Sequence, residues 1–156
     1  MLNVLYSVLE DSLRPIDSTV SVYSGSPLML KSGTTDGTVT TVSGNVAVYG
    51  LAKFDQNAYA NFANGEAGAY GSGRMTIIKK GIVQLYPSVY QDPTNLNTVV
   101  QQIWDTAQNY IAGAPLYVNS GLITNQSSGV SSTLFGKVIV QPSATNGGVM
   151  TVEVDL

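Results

Sequence analysis

The sequence predicts a mainly β protein, a small β-barrel or sandwich, with one amphipathic α-helix at about 93–112, so that by strict count it is α+β. Three observations predict this. Short runs rich in Val, Ile and Thr recur along the chain. Gly-containing turn signals separate them. One longer stretch changes its apolar period from two to about 3.6. At 156 residues the chain has the length of one domain, and it divides into an N-terminal arm, 1–15, and a single β-rich domain, 16–156.

The arm reads as a terminal extension or short helix, because Leu2, Leu5, Tyr6, Leu9 and Leu13 fall near helical spacing and Pro15 stops the pattern. It contains Glu10 and Asp11 and no basic opening, so it does not resemble a secretion signal. Strands follow. Thr19-Val20-Ser21-Val22-Tyr23 alternates polar and apolar, Gly25-Ser26-Pro27 turns, and Leu28-Met29-Leu30 is a short buried run. Ser32-Gly33 and Asp36-Gly37 are turns, and Val39, Val42, Val46, Val48 and Tyr49 continue the β pattern. Residues Asp55–Gly73, rich in Gly, Ala, Asn and Tyr, read as a long loop of the kind that carries binding.

Strand character returns over Arg74–Tyr90, where Lys79-Lys80-Gly81 suggests a hairpin turn or bulge. The helix is expected next. Asp92 or Thr94 would cap it, Pro93 would open it, and Leu96, Val99, Val100, Ile103, Trp104, Ala107, Tyr110 and Ile111 would form its apolar stripe. Gly113 and Pro115 end the segment. Leu116–Val118, Val138–Val140 and Val149–Val154 are further strands, and Asn146-Gly147-Gly148 is a hairpin signal. The segment Gly25-Ser26-Pro27-Leu28-Met29-Leu30-Lys31-Ser32-Gly33 echoes Gly113-Ala114-Pro115-Leu116-Tyr117-Val118-Asn119-Ser120-Gly121. Equivalent strands of one sheet system, or coincidence, would each produce such a pair.

Composition restricts the chemistry. The chain has neither cysteine nor histidine, which removes disulfides, thiol catalysis, the commonest general base and the commonest metal ligand. Its acidic residues are scattered, so no carboxylate pair suggests a hydrolase. The chain is therefore read as a non-enzyme with no cofactor and no metal. Gly129 to Gly136-Lys137 misses the phosphate-loop spacing, and Gly68, Gly71 and Gly73 miss the dinucleotide pattern. Asp55, Asn57, Asn61 and Glu66 fit part of a calcium-loop frame, but Tyr59 and Ala60 break it. Asn125-Gln126-Ser127 is a formal glycosylation sequon without a leader to make it meaningful. Tyr59, Tyr70, Tyr86, Tyr90 and Tyr117 suit a sugar-binding face, though core and interface positions suit them better.

Only 11% of residues are charged, against about 25% in an average domain. The net charge is −3 and no basic cluster exceeds Lys79-Lys80, so no nucleic acid is expected as a partner. No apolar run approaches the ~20 residues that cross a bilayer, so no membrane is expected either. A surface of Ser, Thr, Asn, Gln, Gly and Tyr has few long side chains to immobilise and few charges to desolvate, and suits permanent packing against other proteins.

Ser26-Pro27-Leu28-Met29-Leu30, then Gly33-Thr34-Thr35-Asp36-Gly37, then Val48-Tyr49-Gly50-Leu51-Ala52 resembles the central region of the lambda-type head decoration family of tailed bacteriophages. Gly81-Ile82-Val83-Gln84-Leu85 is similar to the strand that follows a Lys-Gly turn in that family. The resemblance covers about a third of the chain, which is longer than the family's core. It implies a structural virion protein, a homotrimer on the outer capsid surface, that clamps neighbouring copies of the major capsid protein and stabilises the head. It further implies capsid contact through the arm. Met1, Leu2, Asn3, Val4, Leu5, Tyr6 and Leu9 are the residues expected to make it, with Asn57, Tyr59 and Tyr70 of the long loop second. Removing 1–9 is expected to abolish capsid binding and leave a folded domain. The alternatives are another virion component (a tail or connector protein, or a fibre base) and a carbohydrate-binding module.

Overall fold

The computed structural model describes residues 2–43, 47–53, 73–92, 95–127 and 135–156, with no side-chain description for 13, 89–92 and 95–100. The fold is mainly β, a curled half-barrel sheet. Its strands are β1 (Leu2–Pro15), β2 (Pro27–Leu30), β3 (Val39–Thr41), β4 (Gly50–Ala52), β5 (Arg74–Leu85), β6 (Ser88–Asp92), β7 (Asn95–Gln102), β8 (Pro115–Asn119), β9 (Leu122–Thr124), β10 (Gly136–Val140) and β11 (Met150–Asp155). Nine of them form one sheet, in the order β3-β2-β4-β5-β11-β10-β8-β9 with β1 on β5, and β6 and β7 form a separate antiparallel pair.

Strand β5 is the spine. Along one edge it carries β1, from Leu2 opposite Leu85 to Pro15 opposite Arg74. The other edge is divided: Ile77 and Ile78 pair with β4, and Lys80 to Leu85 pair with β11. The run Met75–Ile78 is buried throughout, as expected where sheet is covered on both faces. Two apolar clusters result. One gathers Ile16, Val22, Leu28, Val39, Ala52, Met75 and Ile77 inside the first half. The larger one contains Leu51, Leu85, Leu116, Ile123, Phe135, Met150 and Val152, and extends across the second half.

The echo between residues 25–33 and 113–121 is structural. Pro27 opens β2 and Pro115 opens β8, while Leu28 and Leu116 are wholly buried. Gly25 and Gly113 hold φ of 94° and 85°, and Gly33 and Gly121 hold 80° and 82°, a region that favours glycine. The Gly25 N–H donates to the Ala52 carbonyl and the Gly113 N–H to the Val138 carbonyl, each at 2.8 Å. Ala52 N–H returns to Ser26 O as Val138 N–H returns to Ala114 O, each at 2.9 Å. Upstream, Ile16 bridges Val39 in parallel and Trp104 bridges Ile123 in the same sense. β2–β5 and β8–β11 therefore repeat one strand–hairpin–strand–strand unit, and the two units share the sheet through β5 and β11.

Two expectations need correction. No α-helix exists among the described residues, and the segment expected to be helical is β7 followed by extended chain and turns. Asn95-Leu-Asn-Thr-Val-Val-Gln-Gln contains Thr and Val, which lose side-chain freedom in a helix and favour strands, and two Asn, whose local backbone bonding disfavours a helix interior. The apolar positions beyond it are fixed by tertiary contacts: Ile103 and Trp104 pack in the larger core, and Tyr110 donates its hydroxyl to Ile123 O at 3.0 Å. Trp104 and Tyr110 meet edge-on at 5.2 Å. Of the expected helix start, Asp92 instead ends β6, and the other cap candidate, Thr94, lies outside the described residues with Pro93. Second, of the two readings of Lys79-Lys80-Gly81 the hairpin turn is overturned, because β5 runs through it, and the bulge agrees with the register shifts against β1 at this point. Asn146-Gly147-Gly148 does close a hairpin, between β10 and β11, through a 3-10 turn capped by Ser143.

Candidate functional site

The N-terminal segment is neither a helix nor a projecting arm. It is β1, a 14-residue strand held to β5 along its length. Its helical spacing is an alias. Four register shifts interrupt the pairing, between Val4/Tyr6, Ser7/Leu9, Leu9/Glu10 and Asp11/Arg14. Three of the shifts add a residue to β1, and the one between Leu9 and Glu10 adds one to β5. The bulges re-aim the side chains that follow, so the apolar positions of β1 lose the alternation that identifies a strand.

The bulges decide which residues face outwards. Leu2 is buried, its N–H donating to Ser24 Oγ at 3.1 Å, and Val4 packs partly against the larger core. Leu5, Tyr6, Val8 and Leu9 are 53%, 62%, 56% and 47% exposed. Four large apolar side chains within five residues thus stand in water. Among the described residues β1 pairs with β5 alone, so its outer backbone edge is open as well. Gly81 fits the crossing point: a Cβ there would overlap the Tyr6 carbonyl and lie 3.0 Å from Ser7 Cα.

Polar links fix the strand. Asn3 Nδ2 donates to Gln84 Oε1 at 3.0 Å, and Lys53 Nζ reaches both Glu10 carboxylate oxygens at 2.8 and 2.9 Å. That lysine holds the Glu10 carboxyl below its ordinary pKa. Tyr49 donates its hydroxyl to Asp11, which also receives Arg14 Nε at 2.5 Å. Burial pushes the Asp11 carboxyl up, but the Tyr49 and Arg14 hydrogen bonds outweigh it and the net shift is downward. The Tyr49 phenol is raised, by burial first and by the Asp11 carboxylate second. Lys79 Nζ lies 4.0 Å from the Tyr49 ring centre, and the Arg14 guanidinium 5.4 Å from it.

Of the residues expected to make contact, Leu5, Tyr6 and Leu9 are grouped on this open edge. Asn3 sits beside them on the same strand with its side chain engaged by Gln84, whereas Leu2 and Val4 turn inward. Met1, Asn57, Tyr59 and Tyr70 lie outside the described residues, as does the calcium-loop frame. Val8 belongs to the exposed group and was missed, because helical spacing skips it. Two consecutive apolar pairs, Leu5-Tyr6 and Val8-Leu9, around one serine were the available signal. No protein-family model matches the chain, and no curated protein or solved structure matches it.

Proposed function

We propose that this chain is a decoration protein: it binds the outer surface of a tailed-phage capsid as a homotrimer and stabilises the head by clamping neighbouring major capsid proteins. The observation that carries the reading is the open edge of β1. An edge strand with free backbone groups recruits other chains unless charge, proline, cover or bulges blunt it; β1 is bulged, yet it keeps its apolar side chains uncovered. Here the outer side carries Leu5, Tyr6, Val8 and Leu9 in water. Such a cluster marks an interaction site, and a strand of the capsid lattice pairing with β1 would cover both its apolar side chains and its backbone.

Two further features support the reading. The segments that carry the resemblance to the lambda-type family fall on β2, the turn after it, β4 and the second part of β5. β4 pairs with β2 on one side and β5 on the other, so these segments are neighbours in space. The low charge also suits a lasting coat. The mechanism is mechanical: added interface between capsomers raises the barrier to bursting.

The test is sedimentation of the purified protein alone and with capsids that lack their decoration protein. The reading predicts a discrete trimer that joins the capsids at a saturable ratio. A self-assembled tube would favour a tail protein, and a chain that never joins the capsid would refute the assignment.

A further inference from the structure

A second surface feature has different chemistry. One row of side chains runs across four strands on the face away from the core: Asn3 on β1, Gln84 on β5, Thr151 on β11 and Val140 on β10. Gln84 stands opposite both Asn3 and Thr151, and Thr151 stands opposite Val140. Tyr86 and Val149 continue the row by one step, and Asn146 of the 3-10 turn closes it from the side. Gln84, Tyr86, Val140, Asn146, Val149 and Thr151 line a cleft of about 310 Å3, at the lower end of the size of small-molecule sites.

Every group lining this cleft is uncharged. Thr151 is only 8% exposed, and its hydroxyl makes no hydrogen bond among the described residues. The hydroxyl is not among the fully buried unpartnered atoms, so it opens onto the cleft. Asn3 occupies the Gln84 carbonyl oxygen and so directs the Gln84 amide NH2 away as a donor. The Asn146 amide is committed on both sides, its Oδ1 to the Ser143 N–H at 2.9 Å and its Nδ2 to Gln141 O at 3.0 Å, so that wall is rigid. Tyr86 and Val140, 36% and 47% exposed, supply one aromatic and one aliphatic surface.

Another cleft among the described residues, about 290 Å3 beside Gly113 and Pro115, lacks this character. Its charged groups satisfy one another: Lys137 pairs with Glu153 at 2.9 Å, and Asp155 with Lys80 at 2.7 Å.

We infer that the cleft over Thr151 binds a neutral hexopyranose, as the terminal unit of a glycan. A hexose has an apolar C–H face that packs on an aromatic ring, and hydroxyls that both donate and accept. Tyr86, Val140 and Val149 meet the first requirement, and the Gln84 amide and Thr151 hydroxyl meet the second. A carboxylated sugar is disfavoured, because no cation lines the cleft to compensate its charge. The inference does not depend on capsid binding, and its test uses the free protein.

Isotope-labelled protein is titrated with methyl α-D-glucopyranoside, methyl α-D-galactopyranoside and methyl α-D-mannopyranoside, followed by amide NMR, with N-acetylneuraminic acid as the charged comparison. At least one neutral hexoside is expected to give saturable shifts confined to the neighbourhood of Gln84, Tyr86, Asn146 and Thr151, with a Kd of about 1–10 mM. Thr151→Val removes the hydroxyl at nearly constant volume, and Tyr86→Ala removes a partly exposed ring. Each is expected to weaken binding at least ~5-fold while leaving the rest of the spectrum in place. No saturable shift with any of the three up to about 100 mM, tighter binding of the charged sugar, or binding unchanged in Tyr86→Ala would overturn the inference.

Discussion

Replacing Leu5, Tyr6, Val8 and Leu9 together by serine separates the role of β1 in binding from its role in the fold. Fully burying a large aliphatic side chain contributes about 1.5–3 kcal/mol. These four are each about half exposed already, so a partner that covers them gains roughly half of that per residue, or about 3–6 kcal/mol in all. At about 1.4 kcal/mol per factor of ten, the quadruple variant should bind capsids ~100- to 10,000-fold more weakly. The half of each side chain that is already buried is lost from the free protein as well, so the variant should also unfold more easily, by up to about 3–6 kcal/mol in all, although serine leaves the β1–β5 backbone pairing in place. Removing residues 1–9 outright is a poorer experiment than the sequence suggested. It takes away buried Leu2, its bond to Ser24 and the strand that covers one edge of β5. The assay is a capsid-binding isotherm beside a urea unfolding curve for each protein. Wild-type affinity of the folded quadruple variant would refute the assignment of the edge.

Further outcomes follow from the same structure. Gly136→Ala should destabilise by at least about 2 kcal/mol, because a Cβ would overlap the Glu153 carbonyl and sit 3.0 Å from its carbon. Gly147→Ala meets nothing within 4 Å and carries only the strain of its φ of 68°, so about 1 kcal/mol is expected in the same denaturation assay. If β2–β5 and β8–β11 are equivalent units, Leu28→Ala and Leu116→Ala, both wholly buried, should each cost about 2–5 kcal/mol. A near-zero value for either would contradict the repeat. Asp17 takes Lys31 at 2.8 Å and two bonds from Thr19, which together lower its pKa from 3.8 to about 2. Its folded pKa lies below its unfolded one, so its stabilisation is complete above pH 3.8 and is lost as the pH falls towards about 2. Acid titration of unfolding should show that loss in the wild type and a smaller one in Asp17→Asn.

The mainly β character was legible because Val-, Ile- and Thr-rich runs and glycine turns signal strands locally. The echo between residues 25–33 and 113–121 was visible in the sequence, but whether it marked equivalent strands or coincidence was left open until the pairing of the strands decided it. Gly25, Pro27 and Gly33 match Gly113, Pro115 and Gly121 because each pair does the same backbone task. Two segments misled. Leu96, Val99, Val100, Ile103 and Trp104 fall at helical spacing, yet the first three lie in a strand and the others are held by contacts with distant chain such as Ile123. β1 misled for the opposite reason: bulges broke its alternation, and spacing alone cannot reveal a bulge set by the partner strand. The edge could be guessed only in part, since Val8 joins Leu5, Tyr6 and Leu9 through those bulges. The cleft over Thr151 is assembled from three strands and a turn, and no local pattern encodes it.

Backbone hydrogen exchange across β1, measured in the free protein and in its complex with capsids, tests the central claim most directly. In the free protein the outward-facing amides of residues 3–9 have no partner strand among the described residues and should exchange quickly. The account predicts that capsid binding slows them strongly, while exchange in β8 and β9, far along the sheet, stays as it was. A complex that forms with β1 exchanging as fast as before, or no complex at all, would contradict it.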